Sequence, residues 1–176
     1  MKSHYRAVVI GGGVVGASTL YHLAKLGWKD IVLVEKIEYT SGSTWHAAGL
    51  LPLFNMSYSV GKIHKYSVDL YQSLEAETGQ HVSFHKTGNL RLARNQERMD
   101  EYKRYCGTAS TIGVPFEMIG PAEIKKLWPF AKVDDLVGAL FHPDDGHVAP
   151  VDVTMALLKG ARANGAETYS EVEVTS

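Results

Sequence analysis

The chain has 176 residues, 45% apolar and 21% charged, with 18 Lys and Arg against 19 Asp and Glu for a net charge of −1. This is the composition of an ordinary folded domain; it excludes disorder and collagen-like sequence, and it leaves no basic field for nucleic acid or an anionic membrane. The single cysteine, Cys106, excludes an internal disulfide framework and a multi-cysteine metal site, and no apolar run reaches the roughly 18 residues of a transmembrane helix.

Lys2 and Arg6 precede apolar residues, as in a signal peptide, but three consecutive glycines break the helical core such a peptide needs. The stretch reads better as a strand entering a glycine turn. It is not an Arg- and Ser-rich transit peptide either. The expected compartment is the cytoplasm, or the mitochondrial matrix for a processed eukaryotic form.

Residues 5–10 (YRAVVI) form a β-branched run of the kind found in strands buried on both faces. GGGVVG follows. Residues 14–26 have helical periodicity, with Gly16, Leu20 and Leu23 on one face and Gly27 where a C-terminal cap belongs. Residues 30–35 (DIVLVE) read as a second buried strand. The strand–helix–strand order implies parallel strands with a right-handed crossover.

Residues 36–55 show no clean periodicity. A helix is predicted over 58–78, closed by Gly79. A turn and strand over 85–93 surround Thr87, Gly88 and Asn89. A polar helix over 96–111 ends at Gly113 and Pro115, and a short helix spans 121–127. A strand over 137–141 leads into the turn HPDDGH. A helix over 151–163 stops at Gly165, and 167–174 alternates polar and apolar like a last strand. No internal repeat, low-complexity tract or linker interrupts this order. It predicts an α/β domain with an insertion.

Gly11, Gly13 and Gly16 make G-x-G-x-x-G between the first strand and the first helix. The first glycine allows the tight turn, the second lets backbone approach a pyrophosphate, and the third lets helix and sheet pack closely. The helix N-terminus turns the N–H groups of Val14 and Val15 toward the phosphates. Glu35 ends the second strand, where a carboxylate can accept from both ribose hydroxyls and repel a 2′-phosphate. The motif implies a bound dinucleotide, without separating NAD from FAD.

A NAD-type domain would continue in regular βα alternation. Here the chain reads Thr40-Ser41-Gly42-Ser43-Thr44-Trp45-His46-Ala47-Ala48-Gly49-Leu50. Its small residues permit close backbone approach, and its hydroxyls can bond phosphate or a polyol. Fully extended, the 11 residues from Glu35 to His46 reach about 36–40 Å, ample to run the length of an extended dinucleotide from its ribose to its far end.

VVIGGGVVGASTLYHLAKLGWKDIVLVEK followed by SGSTWHAAGLL resembles the dimethylglycine and sarcosine dehydrogenases of the wider D-amino-acid-oxidase-like FAD family. TGNLRLA (87–93), KKLWPF (125–130) and DDGHVAPVDVTMALLKGARANGAE (144–167) extend the resemblance over nearly the whole chain. It implies a Rossmann-like FAD-binding fold. The family's flavin-bonding histidine matches His46, whose neutral imidazole could attack the electron-poor 8α-methyl. Val14 and Val15 match pyrophosphate contacts, Glu35 and Lys36 the ribose pair, Gly42 through Leu50 the ribityl and flavin lining, and Val174 a backbone contact to adenine. The implied activity is FAD-dependent oxidation of an N-methyl amine, foremost dimethylglycine. Alternatives are a sarcosine or other secondary or tertiary amine oxidase, an inactive FAD-binding fragment, and a non-catalytic regulatory relative. Electron-transfer flavoprotein or oxygen would reoxidise the flavin, and tetrahydrofolate would accept the one-carbon unit in a separate C-terminal domain.

The resemblance assigns 1–50 and 137–176 to the FAD-binding domain and 51–136 to an inserted substrate-side segment. The fold is expected to be incomplete here, an N-terminal portion that holds FAD weakly on its own. No metal ligand is expected. His142 and His147 flank a Pro-Asp-Asp-Gly sequence that is turn chemistry. His81 and His85 are not on one helix face, and His64 reads as structural. Cys106 reads as packing, and Arg91, Arg94 and Arg98 as a solvated face.

Overall fold

A computed structural model describes residues 1–175. It divides into two compact units, one of 1–49, 70–84 and 148–175, the other of 50–69 and 85–147.

The first unit is built on β1 (Ala7–Ile10), α1 (Val14–Lys25) and β2 (Ile31–Val34). β1 and β2 run parallel, with Ala7 beside Ile31 and Ile10 beside Val34. The later elements of this unit are α5 (Pro150–Ala163) and β9 (Glu167–Tyr169), and β9 joins the other edge of β2, again parallel. All four residues of β2 are buried. Its partner β1 departs from the expectation of burial on both faces: Val8 is 52% exposed and Ile10 68%. The exposed residues alternate with half-buried ones, so one face of this edge strand is uncovered. α1 buries Ala17, Leu20, Tyr21 and Ala24. Leu23 is only half-buried, so the buried stripe is rotated from the Gly16/Leu20/Leu23 face read from sequence. α2 (Tyr58–Thr78) carries its last residues, from Leu70, into this unit.

The predicted last strand ends early. Ser170 and Glu171 form a bend, with Glu171 at φ +58. Beyond it Glu171 N–H donates to Ile37 O (3.0 Å) and Val172 N–H to Glu35 O (2.9 Å). Val174 therefore lies past β9 and not within it.

The second unit holds two small antiparallel sheets. One is β5 (Asn89–Ala93), β7 (Gly138–His142) and β6 (Glu117–Ile119), in the order β5-β7-β6. The other is β3 (Leu50–Leu51), β8 (Gly146–His147) and β4 (His85–Lys86), in the order β3-β8-β4. The helices are α3 (Gln96–Ile112), started by Asn95 accepting from Arg98 N–H, and α4 (Pro121–Leu127). Ile124, Ala131 and Ala139 form an apolar core with Leu90, Leu92 and Ile119 around it.

A buried polar cluster sits beside that core. Asp145 Oδ1 accepts from Leu53 N–H (2.9 Å), and the Asp145 carbonyl accepts from Thr87 and Gly88 N–H. Tyr105 donates to Leu53 O (3.2 Å) and lies 3.0 Å from His142 Nε2. The Arg91 guanidinium stacks on Phe54 at 4.2 Å. Three buried atoms among the described residues have no hydrogen-bond partner, and all three belong here: Arg91 Nε, His142 Nδ1 and Asp145 Oδ2. Burial pushes the Asp145 carboxyl up to about 6 and, with Arg91, the His142 imidazole down to about 4.

Candidate dinucleotide site

The site is assembled where β1 hands over to α1. Gly11 has φ +109, a backbone that side-chain-bearing residues rarely adopt, so it can turn the chain out of the sheet. Gly16 is fixed by space: a Cβ there would stand 2.0 Å from Gly11 O. Gly13 precedes the helix as its cap, in extended backbone. Gly11 and Gly16 thus fill the turning and close-packing roles read from the motif, and Gly13 stands as the helix cap.

Glu35, just past β2, does more than the motif foretold. One carboxylate oxygen accepts from Gly12 N–H (2.7 Å) and the other from Ile37 N–H (3.0 Å). These backbone donors, Gly12 foremost, hold its carboxyl below the usual glutamate range. Glu35 thus braces the glycine turn, and each oxygen keeps lone-pair capacity for a hydroxyl.

A cleft of about 340 Å³ opens beside it, lined by Ile10, Gly11, Val34, Glu35, Lys36 and residues 172–174. The structure therefore brings Val174 to the same cleft as Glu35 and Lys36, even though Val174 is not in a strand. The lining offers an adenosine an apolar floor, glycine backbone, the Lys36 cation and the Glu35 and Glu173 carboxylates.

The stretch after β2 is not extended. Thr40 takes φ +71 and its N–H donates to Gly12 O (3.1 Å), which folds the segment back onto the glycine turn. Trp45, His46 and Ala47 N–H then close successive turns on Thr40, Ser43 and Thr44 carbonyls. Small residues and hydroxyls make this coiling possible. Thr44 is buried, and its hydroxyl accepts from Val14 N–H at 2.9 Å. Val14, expected to face phosphate, is therefore capped by a side chain that can share it with a ligand oxygen. Val15 lies exposed beside it on the first turn of α1.

His46 is exposed, and both ring nitrogens are engaged. Nδ1 lies 3.2 Å from Gly42 O, and Trp45 Nε1–H donates to Nε2 (3.2 Å). A carbonyl only accepts, so Nδ1 carries the proton and Nε2 the lone pair. Ser43, Ala47 and Ala48 are exposed around it. Leu50 belongs to β3 in the second unit.

Arg91 departs from the solvated face read from sequence, because its guanidinium stacks on Phe54 at 4.2 Å and its Nε is buried, while Arg94 and Arg98 are exposed. Among the described residues no three His, Cys, Asp or Glu side chains converge as a metal site, and Pro143 and Asp144 form a turn. Among the same residues no helix is long and apolar enough to cross a membrane. What sequence reasoning missed is the brace from Glu35 to Gly12 and the cap from Thr44. A carboxylate ending β2 and a threonine in a glycine-flanked turn were the available signals, and the fold decides their partners.

Comparison with known proteins agrees with this geometry. The family profile "FAD dependent oxidoreductase" (DAO) matches residues 6–176. Mitochondrial dimethylglycine dehydrogenase of Rattus norvegicus is 45% identical over 175 residues, covering 99% of this chain and 20% of that protein. Mitochondrial pyruvate dehydrogenase phosphatase regulatory subunit of Mus musculus is 40% identical, covering 99% and 20%. Mitochondrial sarcosine dehydrogenase of Homo sapiens is 42% identical, covering 99% and 19%. The chain thus spans about a fifth of the length of these relatives. Among solved structures, L-proline dehydrogenase from P. horikoshii superimposes with a TM-score of 0.91 at 30% identity, over 99% of this chain and 46% of that one.

Proposed function

Because this chain belongs to the DAO family of FAD-dependent oxidoreductases, we propose that it oxidises an N-methyl amine, dimethylglycine, using an FAD bonded covalently to His46. The observation that carries the reading is the exposed His46 ring, in a loop folded onto the glycine turn, with its Nε2 lone pair accepting from Trp45 Nε1–H. The 45% identity to dimethylglycine dehydrogenase supports the substrate.

Bound FAD supplies the two-electron acceptor, and a bonded imidazole draws electron density from its ring and raises its potential. The protein's residues bind and orient. Val14 and Val15 N–H groups face the pyrophosphate, with Gly11, Gly13 and Gly16 making room for it. Glu35 and Lys36 hold the ribose, and the backbone at Val174 meets the adenine. Gly42 through Leu50 line the ribityl chain and flavin. Residues 1–50 and 137–176 are the FAD-binding part and 51–136 the substrate side. The substrate nitrogen must be neutral to release hydride, so the substrate site favours the unprotonated amine. The electrons pass to an electron-transfer flavoprotein or to oxygen. The one-carbon unit passes to tetrahydrofolate on a further domain outside these residues. The mitochondrial relatives support a matrix location in a eukaryotic source; in a bacterial source the protein is cytoplasmic.

Two other readings have their own support. Sarcosine is favoured by the 42% identity to sarcosine dehydrogenase. A non-catalytic regulatory role is favoured by the 40% identity to a regulatory subunit.

Acid precipitation of the flavin-loaded protein tests the central step. Yellow colour in the pellet and a fluorescent band on a denaturing gel are expected, and His46→Ala should lose both. Flavin wholly in the supernatant contradicts the linkage. Reduction of an artificial acceptor by dimethylglycine, faster than by sarcosine, in the full-length protein supports the substrate; no reduction by either supports the regulatory reading.

A further inference from the structure

The dinucleotide cleft leaves two histidines of the second unit unused. His85 on β4 and His147 on β8 stand directly opposite each other in an antiparallel ladder. Their ring centroids are 5.0 Å apart, with planes tilted by 34°. Opposed residues of such a ladder share one face, with Cβ atoms about 4.5–5.5 Å apart; the rings stand close to a stack, and rotation about their side-chain torsions brings a nitrogen of each to one point. Backbone pairing, not a loop, sets their spacing. His85 is exposed and His147 half-buried, so the row is open to solvent. Lys86 follows His85 on the opposite face of β4 and is ion-paired with Asp144.

We propose that His85 and His147 form a two-imidazole chelate for a borderline divalent cation, Cu(II), Ni(II) or Zn(II). Imidazole suits these ions, with copper bound most tightly; Mg(II) and Ca(II) require oxygen donors that this row lacks. No third protein ligand converges among the described residues, so water completes the coordination. The consequence is mechanical as well as chemical. β4 and β8 are two residues long each, and an ion clipping one to the other reinforces a short ladder. An ion that binds only the folded ladder stabilises it by mass action.

The test is a titration of the metal-free protein with NiCl2, read by calorimetry and by the thermal unfolding midpoint, with MgCl2 as the control ion. One nickel per chain and a raised midpoint are expected, with no response to magnesium. Both nickel effects should vanish in His85→Ala and in His147→Asn, and persist in His81→Ala, which alters a histidine paired with Glu75. Should His147→Asn fail to fold, His85→Ala, at an exposed position, decides alone. Absence of nickel binding in the unaltered protein, an equal response to magnesium, or binding retained in His85→Ala overturns the proposal.

Discussion

The glycine turn of the first unit and the Asp145 cluster of the second both hold polar groups away from bulk water, by opposite means. At the glycine turn the groups are backbone N–H donors, and they are satisfied by Glu35 and Thr44 at 2.7 and 2.9 Å. Both acceptors keep capacity for a ligand. In the Asp145 cluster the groups are four side chains from three separate segments, and three of their atoms have no partner. The first arrangement can open to a cofactor without exposing a core. The second is closed and raises the cost of any change within it.

The largest effect expected from breaking this contrast is at Gly16. Its substitution by valine drives side chain into the Gly11 carbonyl, costs about 3 kcal/mol in overpacking, and removes FAD binding altogether. Denaturant unfolding and flavin fluorescence titration measure the two losses. Asp145→Ala comes next. It strands the buried Leu53 N–H, and a loss of about 2 kcal/mol is expected by urea unfolding.

The same cluster sets a pH signature. The Asp145 carboxyl is raised when folded, so the native state holds its proton more tightly, and this contribution to stability is lost as pH rises through about 6. The His142 imidazole is lowered when folded, so its contribution is lost as pH falls from about 6.5 toward 4. The two slopes oppose each other over the same window. Asp145→Asn removes only the first, so its stability should climb with pH between about 4.5 and 6.5, more steeply than the unaltered protein's. Equal slopes in urea unfolding across that range contradict the cluster's titration.

Smaller effects belong to the glycine turn's accessories. Thr44→Val removes the bond to Val14 N–H and should lower the unfolding free energy by about 1 kcal/mol. Ile10→Thr, on the exposed face of β1, should change stability by less than about 0.5 kcal/mol while reducing self-association in sedimentation.

The contrast also explains what could be read in advance. α2 and α4 fall on their predicted residues because periodicity and the flanking glycine and proline are local signals. The glycine motif was legible because each glycine answers a local backbone demand. The exposed face of β1 was not, since VVI reads as buried wherever it stands and exposure depends on which neighbours pair with it. Val174 was placed in a strand because its alternation continues past the bend at Ser170 and Glu171. Nothing in HPDDGH announces that Asp145 turns inward to Leu53 while Asp144 stays at the surface with Lys86. That choice rests on residues about ninety positions away in one case and nearly sixty in the other.

The most direct test of the account is the mass of one peptide. Trypsin releases Ile37 through Lys62, which carries His46, from the purified flavin-loaded protein. This peptide should be heavier by one FAD, with fragmentation placing the addition on His46. The unmodified peptide, recovered from protein whose flavin is bound, would contradict it.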